Sequence, residues 1–203
     1  MENPALSAAF GDAMRQAEGE SHILRDSENL PQCGCGDVNL FAVFAEKMSQ
    51  CAAASGRAGC IVPGGMATDD TTKDFFAGLV ETKRLVSLPH FENEESVFPS
   101  VHHAFRFCLP TVGCAESAEF VFYARQVEHL SDESRKFHLT AEDFDLLNPN
   151  SRTCPTFRSS RDAELNKAIY RRSGVLTREV APLRRTNRST VEPAREIGTW
   201  KFK

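Results

Sequence analysis

Long apolar runs are missing from this sequence of 203 residues, which has no stretch near the roughly 18–20 apolar residues that a membrane-spanning helix requires. The first residues, MENPALSAAFGD, lack the basic start and the apolar stretch of a secretion signal. Hydrophobic residues make up 41% of the chain and charged residues 26%, which is ordinary for a globular protein. We therefore expect a cytoplasmic protein with one main domain and no membrane partner.

Paired cysteines at zinc-ligand spacing are also missing. Seven cysteines, an odd number, in a chain without a secretion signal predict reduced thiols rather than disulfides. Cys33 and Cys35 form a C-x-C pair with no second pair to complete it, and His102 and His103 would point to opposite faces of a strand. We expect no metal site, and an independent zinc or redox module built on the cysteines is the alternative.

Motifs of familiar reactions do not occur either. The sequence has no Walker loop, no G-x-G-x-x-G after a predicted strand and no G-x-S-x-G. The turn GGMATDD (64–70) opens a predicted helix, but Asp69 and Asp70 would repel an anion at that position. No residue is therefore predicted to be catalytic.

The formal net charge of −4 conceals a basic end. Residues 171–203 contain nine Lys or Arg and three Glu, a net charge of +6, so residues 1–170 carry −10. A basic segment on an acidic body is suited to a polyanion, and the candidate phosphate contacts are Arg171, Arg172, Arg184 and Arg185. A solvated linker is the other interpretation of the same charge pattern.

Apolar spacing predicts helix, strand, helix and strand over the first half of the chain, which is typical of a doubly wound parallel sheet. Two later segments, separated by a short connection, then predict an antiparallel hairpin. The predicted helices are 5–22, 38–54 (capped by Asp37), 70–83 (capped by Thr68 or Asp69), 139–149 (capped by Thr140) and 161–172; the predicted strands are 58–63, 84–91, 103–112 and 119–125.

This pattern divides the chain into four parts. We expect an N-terminal helix and loop (1–30), a sheet-containing unit (31–130), a connector (131–172) and a basic extended tail (173–203). Phe98 stands out in the polar loop ENEESVFPSV (92–101), next to the end of a predicted strand. It is either a stacking platform for a planar base or a plug that holds the loop on the core.

Five blocks of the sequence resemble one enzyme family. They are NLFAVFAEKM (39–48), GRAGCIVPGGMATDDTTKDFF (56–76), LVSLPHFENEESVFPSV (85–101), FRFCLPT (105–111) and NPNSRTCPTFRSSRDAELNKAIYRR (148–172). In this order and spacing they are similar to the second half of the catalytic domain of adenine-specific N6 DNA methyltransferases. The large methylase polypeptides of type II and phage-defence restriction–modification systems are the most similar in character.

The resemblance implies a Rossmann-like sheet that binds S-adenosylmethionine, with the target adenine of DNA flipped into a pocket. By position, Phe98 matches the aromatic residue that stacks on the flipped base. Asn39, Phe44 and Pro63 match elements beside the catalytic strand, so they are expected to support the pocket rather than react.

Two parts of the family's pattern have no counterpart here. One is the glycine-rich cofactor loop; the other is the Asn-Pro-Pro-aromatic motif, whose Asn and first Pro carbonyl accept from the adenine amino group. Asn148-Pro149-Asn150 follows the predicted antiparallel strands and lacks the aromatic. Pro89 and Pro110 inside predicted strands, together with an open sheet edge, suggest a truncated product.

The expected fold is thus α/β: a partial Rossmann-like methyltransferase sheet that ends in an antiparallel hairpin, followed by a helical and extended connector. The expected function is that of a methyltransferase fragment that is inactive and does not bind S-adenosylmethionine by itself. Its partners would be DNA and a separate chain that carries the N-terminal half. The alternative is a non-catalytic DNA-binding or regulatory remnant that uses the basic tail.

Overall fold

The structure, a computed structural model, describes residues 3–26, 28–34 and 38–175, which form a mixed α/β fold. Among these residues, no helix is both long enough and apolar enough to cross a membrane. The helices are α1 (Pro4–Asp26), α2 (Leu40–Cys51), α3 (Gly65–Thr68), α4 (Lys73–Glu81), α5 (Ala141–Leu147) and α6 (Ser160–Ser173).

Within the described residues, seven strands form one sheet: β1 (Ala58–Gly59), β2 (Val62–Pro63), β3 (Leu85–Glu92), β4 (Arg106–Cys108), β5 (Thr111–Val112), β6 (Ala118–Ala124) and β7 (Phe137–Leu139). β1 and β2 lie at one edge, paired with β5 and β4; β3 follows, then β6, and β7 closes the other edge. Among the described strands, the pairing of β3 with β6 is parallel and every other pairing is antiparallel.

The predicted doubly wound parallel sheet is therefore wrong. The segment 106–112 lies between 58–63 and 85–92 and is antiparallel to both. The turn after β3 returns the chain beside that strand, so the two predicted parallel neighbours never pair. The coarser prediction, a mixture of helices and strands in one α/β unit, is confirmed.

The predicted pairing of 103–112 with 119–125 is also wrong, because the chain crosses to the other side of β3 between them. The amides of Gly113 and Ala115 donate to the carbonyls of Arg84 (2.8 Å) and Lys83 (3.0 Å), which precede β3. This crossing passes the start of β3, so β6 leaves it parallel to β3. β4 and β5 instead form an antiparallel hairpin with β3 itself.

Both prolines that fall inside predicted strands sit where a ladder is interrupted. Pro110 lies between β4 and β5, and the β3–β6 register shifts just after Pro89. Because proline has no N–H to donate, such interruptions are where a sheet tolerates it. The carbonyl of Pro89 still accepts from the amide of Leu109 at 2.9 Å.

Two apolar clusters hold the sheet. The main cluster joins α2, α4 and α5 to the sheet and has Phe75, Phe76, Phe120 and Phe144 near its centre. A smaller cluster contains Phe91, Val121 and Ala124, with Phe107 packed against it. Since neighbours along a strand point to opposite faces, Phe91 and His90 place their side chains on opposite sides of β3.

The predicted helix caps agree with the structure at one helix and differ from it at another. Thr140 caps α5 through a reciprocal capping box with Asp143, as predicted for Thr140. Asp69 makes no side-chain capping bond, so its predicted role is wrong, and α4 begins at Lys73. Asp37, the predicted cap of α2, lies outside the described residues, and the Oδ1 of Asn39 accepts from the amide of Phe41 at 3.4 Å.

Candidate functional site

Three strands that run in the same direction have their carboxyl ends on the same side of the sheet. They are β2, β3 and β6, which end at Pro63, Glu92 and Ala124. A cavity of about 580 Å³ opens there, and its lining includes Pro63, His90 and Tyr123. This volume is in the ordinary range for small-molecule sites.

His90 forms part of the cavity wall and is almost fully buried, with 4% of its surface exposed. Its ring stacks on Phe122, with ring centroids 5.0 Å apart, and its Nδ1 atom is buried without a hydrogen-bond partner. Burial, with a smaller contribution from the nearby Arg106 guanidinium, lowers the pKa of His90 to about 4. The imidazole is therefore neutral at physiological pH.

A β-bulge lies opposite His90. Pro89 pairs with Val121 and Phe91 pairs with Ala124, so two residues of β6 face one residue of β3. The extra residue is Tyr123, whose φ of 58° lies in the left-handed region that few non-glycine residues adopt. Its hydroxyl lies 3.0 Å from Oγ1 of Thr156, and the guanidinium of Arg158 lies 4.6 Å from its ring centroid.

Gly64 allows the turn after β2 to approach His90. A Cβ atom at this position would lie 2.5 Å from Nε2 of His90 and 3.1 Å from the Cβ of Arg106. No other residue type fits without moving the ring, so this glycine is required by close approach rather than by its φ.

Charged groups of both signs surround the cavity mouth. The carboxylate of Glu92 is paired with Arg106 (3.6 Å) and with Arg125 (3.2 Å). Arg106 lines the cavity, as does Asp69, whose carboxylate accepts from the hydroxyl of Thr68 at 3.3 Å. The mouth thus offers a guanidinium, a carboxylate and a hydroxyl within one recess.

Phe98 lies on the loop that follows β3 and is 36% exposed. Asn93, which is fully buried, donates from Nδ2 to the carbonyls of Phe98 (3.0 Å) and Val101 (2.8 Å). Its Oδ1 accepts from the amide of Phe98 at 2.9 Å. Three hydrogen bonds from one side chain therefore fix the backbone that carries Phe98.

The Phe98 ring and the cavity lie on opposite faces of the sheet. Phe98 meets Phe107 edge to face at 4.9 Å, and Phe107 stacks on Phe91 at 5.1 Å. The cavity lies on the other side of β3, with His90. The contact with Phe107 agrees with Phe98 as a plug that holds the loop on the core. Its exposed surface agrees with Phe98 as a stacking platform.

The other predicted site residues are scattered. Pro63 lines the cavity, whereas Asn39 and Phe44 lie at and on α2 outside its lining, with Phe44 66% exposed. In the last turn of α6, Arg171 pairs with Asp143 at 3.5 Å and Arg172 is exposed. Arg184 and Arg185 lie outside the described residues.

Sequence reasoning missed His90, Arg106, Tyr123 and Asn93. His90 and Arg106 both lie near the ends of predicted strands. Whether they come close together depends on the pairing of β3 with β4, which the sequence did not predict. Tyr123 gave no signal, because a bulge depends on the partner strand's register. Asn93 was one polar residue among several in its loop.

No protein-family model matches this sequence, and no curated protein matches it either. Within the described part of the chain, no group of three or more His, Cys, Asp or Glu residues could hold a metal ion. The six described cysteines, namely Cys33, Cys51, Cys60, Cys108, Cys114 and Cys154, are free thiols. The site's character therefore rests on its own geometry.

Proposed function

We propose that this chain is the later part of the catalytic domain of an adenine-specific N6 DNA methyltransferase of a restriction–modification system. Its role is to hold the target adenine after the base leaves the DNA helix, and it works in the cytoplasm with DNA as its partner. Methyl transfer needs a second polypeptide that supplies the cofactor loop and the Asn-Pro-Pro-aromatic motif. The proposal rests on the resemblance of five sequence blocks.

One structural observation supports the proposal most directly: Phe98 is 36% exposed on a backbone that Asn93 holds in place. A base that stacks on a fixed ring loses less freedom than one that must order a mobile loop.

The Gly64–Gly65 turn does not provide the glycine-rich cofactor loop of the family. The one glycine pair at a strand end, Gly64–Gly65, is already packed: a Cβ on either residue would collide with His90 or Asp69. Such a turn leaves no open cradle for a cofactor. We therefore assign cofactor binding to the second polypeptide and no reaction step to this chain alone.

The test compares Phe98→Ala with the unaltered chain in binding to duplexes that contain one unpaired adenine or none. Base stacking contributes about 1–3 kcal/mol, so the preference for the unpaired adenine should fall by about fivefold or more. Phe10→Ala is the matched control, because Phe10 is an exposed phenylalanine on α1, outside the cavity lining and the Phe98 loop. An unchanged preference in Phe98→Ala would contradict the stacking role.

A second measurement follows labelled methyl transfer to DNA. The chain alone should give no transfer above background, and transfer should require the second polypeptide. Transfer by the chain alone would refute the division of labour. DNA binding that depends steeply on salt, yet is indifferent to Phe98, would instead favour a non-catalytic remnant whose basic tail binds phosphates.

A further inference from the structure

We propose that the cavity at the carboxyl ends of β2, β3 and β6 binds a nucleotide, with an amino-bearing base inside and a phosphate at Arg106. This site is distinct from Phe98, which lies on the other face of the sheet. Its ligand has two sources with the same chemistry: a free nucleotide, or an unpaired nucleotide of DNA. The DNA source would move the extrahelical base of the proposed function from Phe98 into the cavity, whereas a free nucleotide leaves that function unchanged.

Aromatic rings from two different segments line the cavity. Phe105, which is 63% exposed, comes from the end of the loop after β3, and the half-buried Tyr123 comes from the bulge of β6. Phe122 lies behind them, fully buried and stacked on His90. Flat surfaces of this kind suit a planar heterocycle, since every base has a face that stacks. An aliphatic ligand would leave the polar groups of the same cavity without partners.

The polar groups of the cavity match the edge of such a base. His90 forms part of the wall with a neutral imidazole, whose Nε2 lies against Gly64 and whose Nδ1 is closed off from solvent. Asp69 and Thr68 present oxygen atoms that accept from an exocyclic amino group.

Arg106 supplies the charge at the mouth. Its guanidinium shares the single carboxylate of Glu92 with Arg125 and lies at 3.6 Å from it, which exceeds hydrogen-bond distance. The Arg106 side chain is 57% exposed, so its donors remain open to a ligand. A planar guanidinium with several donors is well suited to a phosphate group.

The experiment titrates the full chain with adenosine monophosphate, adenosine and inorganic phosphate by calorimetry. We expect saturable binding of the monophosphate, tighter than that of adenosine or of phosphate. Phe105→Ala should weaken both adenine-containing ligands about fivefold or more. Arg106→Gln should weaken the monophosphate and leave adenosine unchanged, while Phe10→Ala, at an exposed phenylalanine on α1, should change neither.

Competition identifies the source of the nucleotide. If a duplex with one unpaired adenine displaces the monophosphate, the cavity takes the extrahelical nucleotide and the stacking role of Phe98 is wrong; if it does not, the ligand is free. Absence of saturable binding by all these probes, or binding that is insensitive to Phe105→Ala in a variant that unfolds at the same temperature, overturns the proposal. Phe98→Ala should leave monophosphate binding intact, so failure of the stacking role and failure of this site are separately visible.

Discussion

The side-chain amide of Asn93 holds Phe98 at both ends of its backbone, accepting from its nitrogen at 2.9 Å and donating to its oxygen at 3.0 Å. The same amide also donates to Val101, so one buried residue closes the loop on itself. The exposed ring of Phe98 is therefore positioned by a residue that is itself inaccessible. The candidate stacking residue and its support can be separated experimentally.

Asn93→Ala should destabilise the protein and release Phe98. Three hydrogen bonds disappear and the backbone groups of Phe98 lose their partner, so the free energy of unfolding should fall by about 2–4 kcal/mol. At a temperature where the variant is folded, its preference for DNA with an unpaired adenine should fall as far as that of Phe98→Ala. Urea unfolding and DNA titration measure the two effects.

Asn148→Ala is the matched control for this substitution. Asn148 closes another turn by donating to the carbonyl of Thr153 at 2.9 Å, far along the chain from Phe98. It should lower stability without altering the DNA preference. If Asn93→Ala and Phe98→Ala together reduce the preference by the sum of their single effects, the two residues act independently and the positioning role is wrong.

His90 should make the protein sensitive to mild acid. Its pKa is about 4 in the folded protein and 6.5 ordinarily, so the unfolded chain takes up a proton first as pH falls. The neutral His90 makes its full contribution to stability above about pH 6.5, and this contribution is lost as the pH falls toward 4. At about pH 5 the free energy of unfolding should therefore be about 2 kcal/mol lower than at neutral pH. Urea unfolding between about pH 4 and pH 7 measures the free energy of unfolding at each pH. His90→Gln should make this free energy less dependent on pH, whereas the control His138→Gln, at an exposed histidine, should not. A fall equally steep in His90→Gln would contradict the assignment.

Gly64→Ala should destabilise the protein because the new methyl group meets the His90 ring at 2.5 Å. Forcing a packed ring aside costs about 1–3 kcal/mol. Gly59→Ala is the control, since its nearest neighbour would be the carbonyl oxygen of Pro110 at an ordinary 3.9 Å. Thermal unfolding of the two variants should differ clearly, and equal midpoints would show that the turn has room to adjust.

Thiol labelling should distinguish the cysteines by burial. Burial raises the pKa of Cys108 to about 12 and that of Cys154 well above its ordinary value, so both remain protonated and unreactive. Cys51 and Cys114 are exposed and should react first with a maleimide or a disulfide reagent. Mass spectrometry of the labelled peptides gives the order. Labelling of Cys108 as fast as Cys114 would mean that the sheet opens readily.

Sequence predicted the elements whose signals are local. The cap at Thr140 depends on Asp143 three residues later, and the apolar face of α4 depends on Phe75, Phe76 and Leu79 within one helix. Such patterns lie within the segment that forms the helix, so they can be recognised from the sequence alone.

The direction of the sheet could not be predicted in the same way. It depends on the crossing at Gly113 and Ala115, which sends β6 to the far side of β3. Nothing in the alternation of residues 103–125 specifies which side of β3 the chain will reach. The cavity was hidden for the same reason, because His90 meets Phe122 only after β6 has paired with β3.

The loop between β3 and β4 has one further tie: the backbone amide of Asn93 donates to the carbonyl of Phe105 at 3.0 Å. The same residue thus fixes where Phe98 emerges on one face and where Phe105 emerges on the other. Between these points Glu95 and Ser100 are exposed. The exposed residues of this loop can therefore change in evolution, and with them the surface that the loop offers to a partner. The positions of Phe98 and Phe105 would stay the same, because Asn93 fixes the backbone at both.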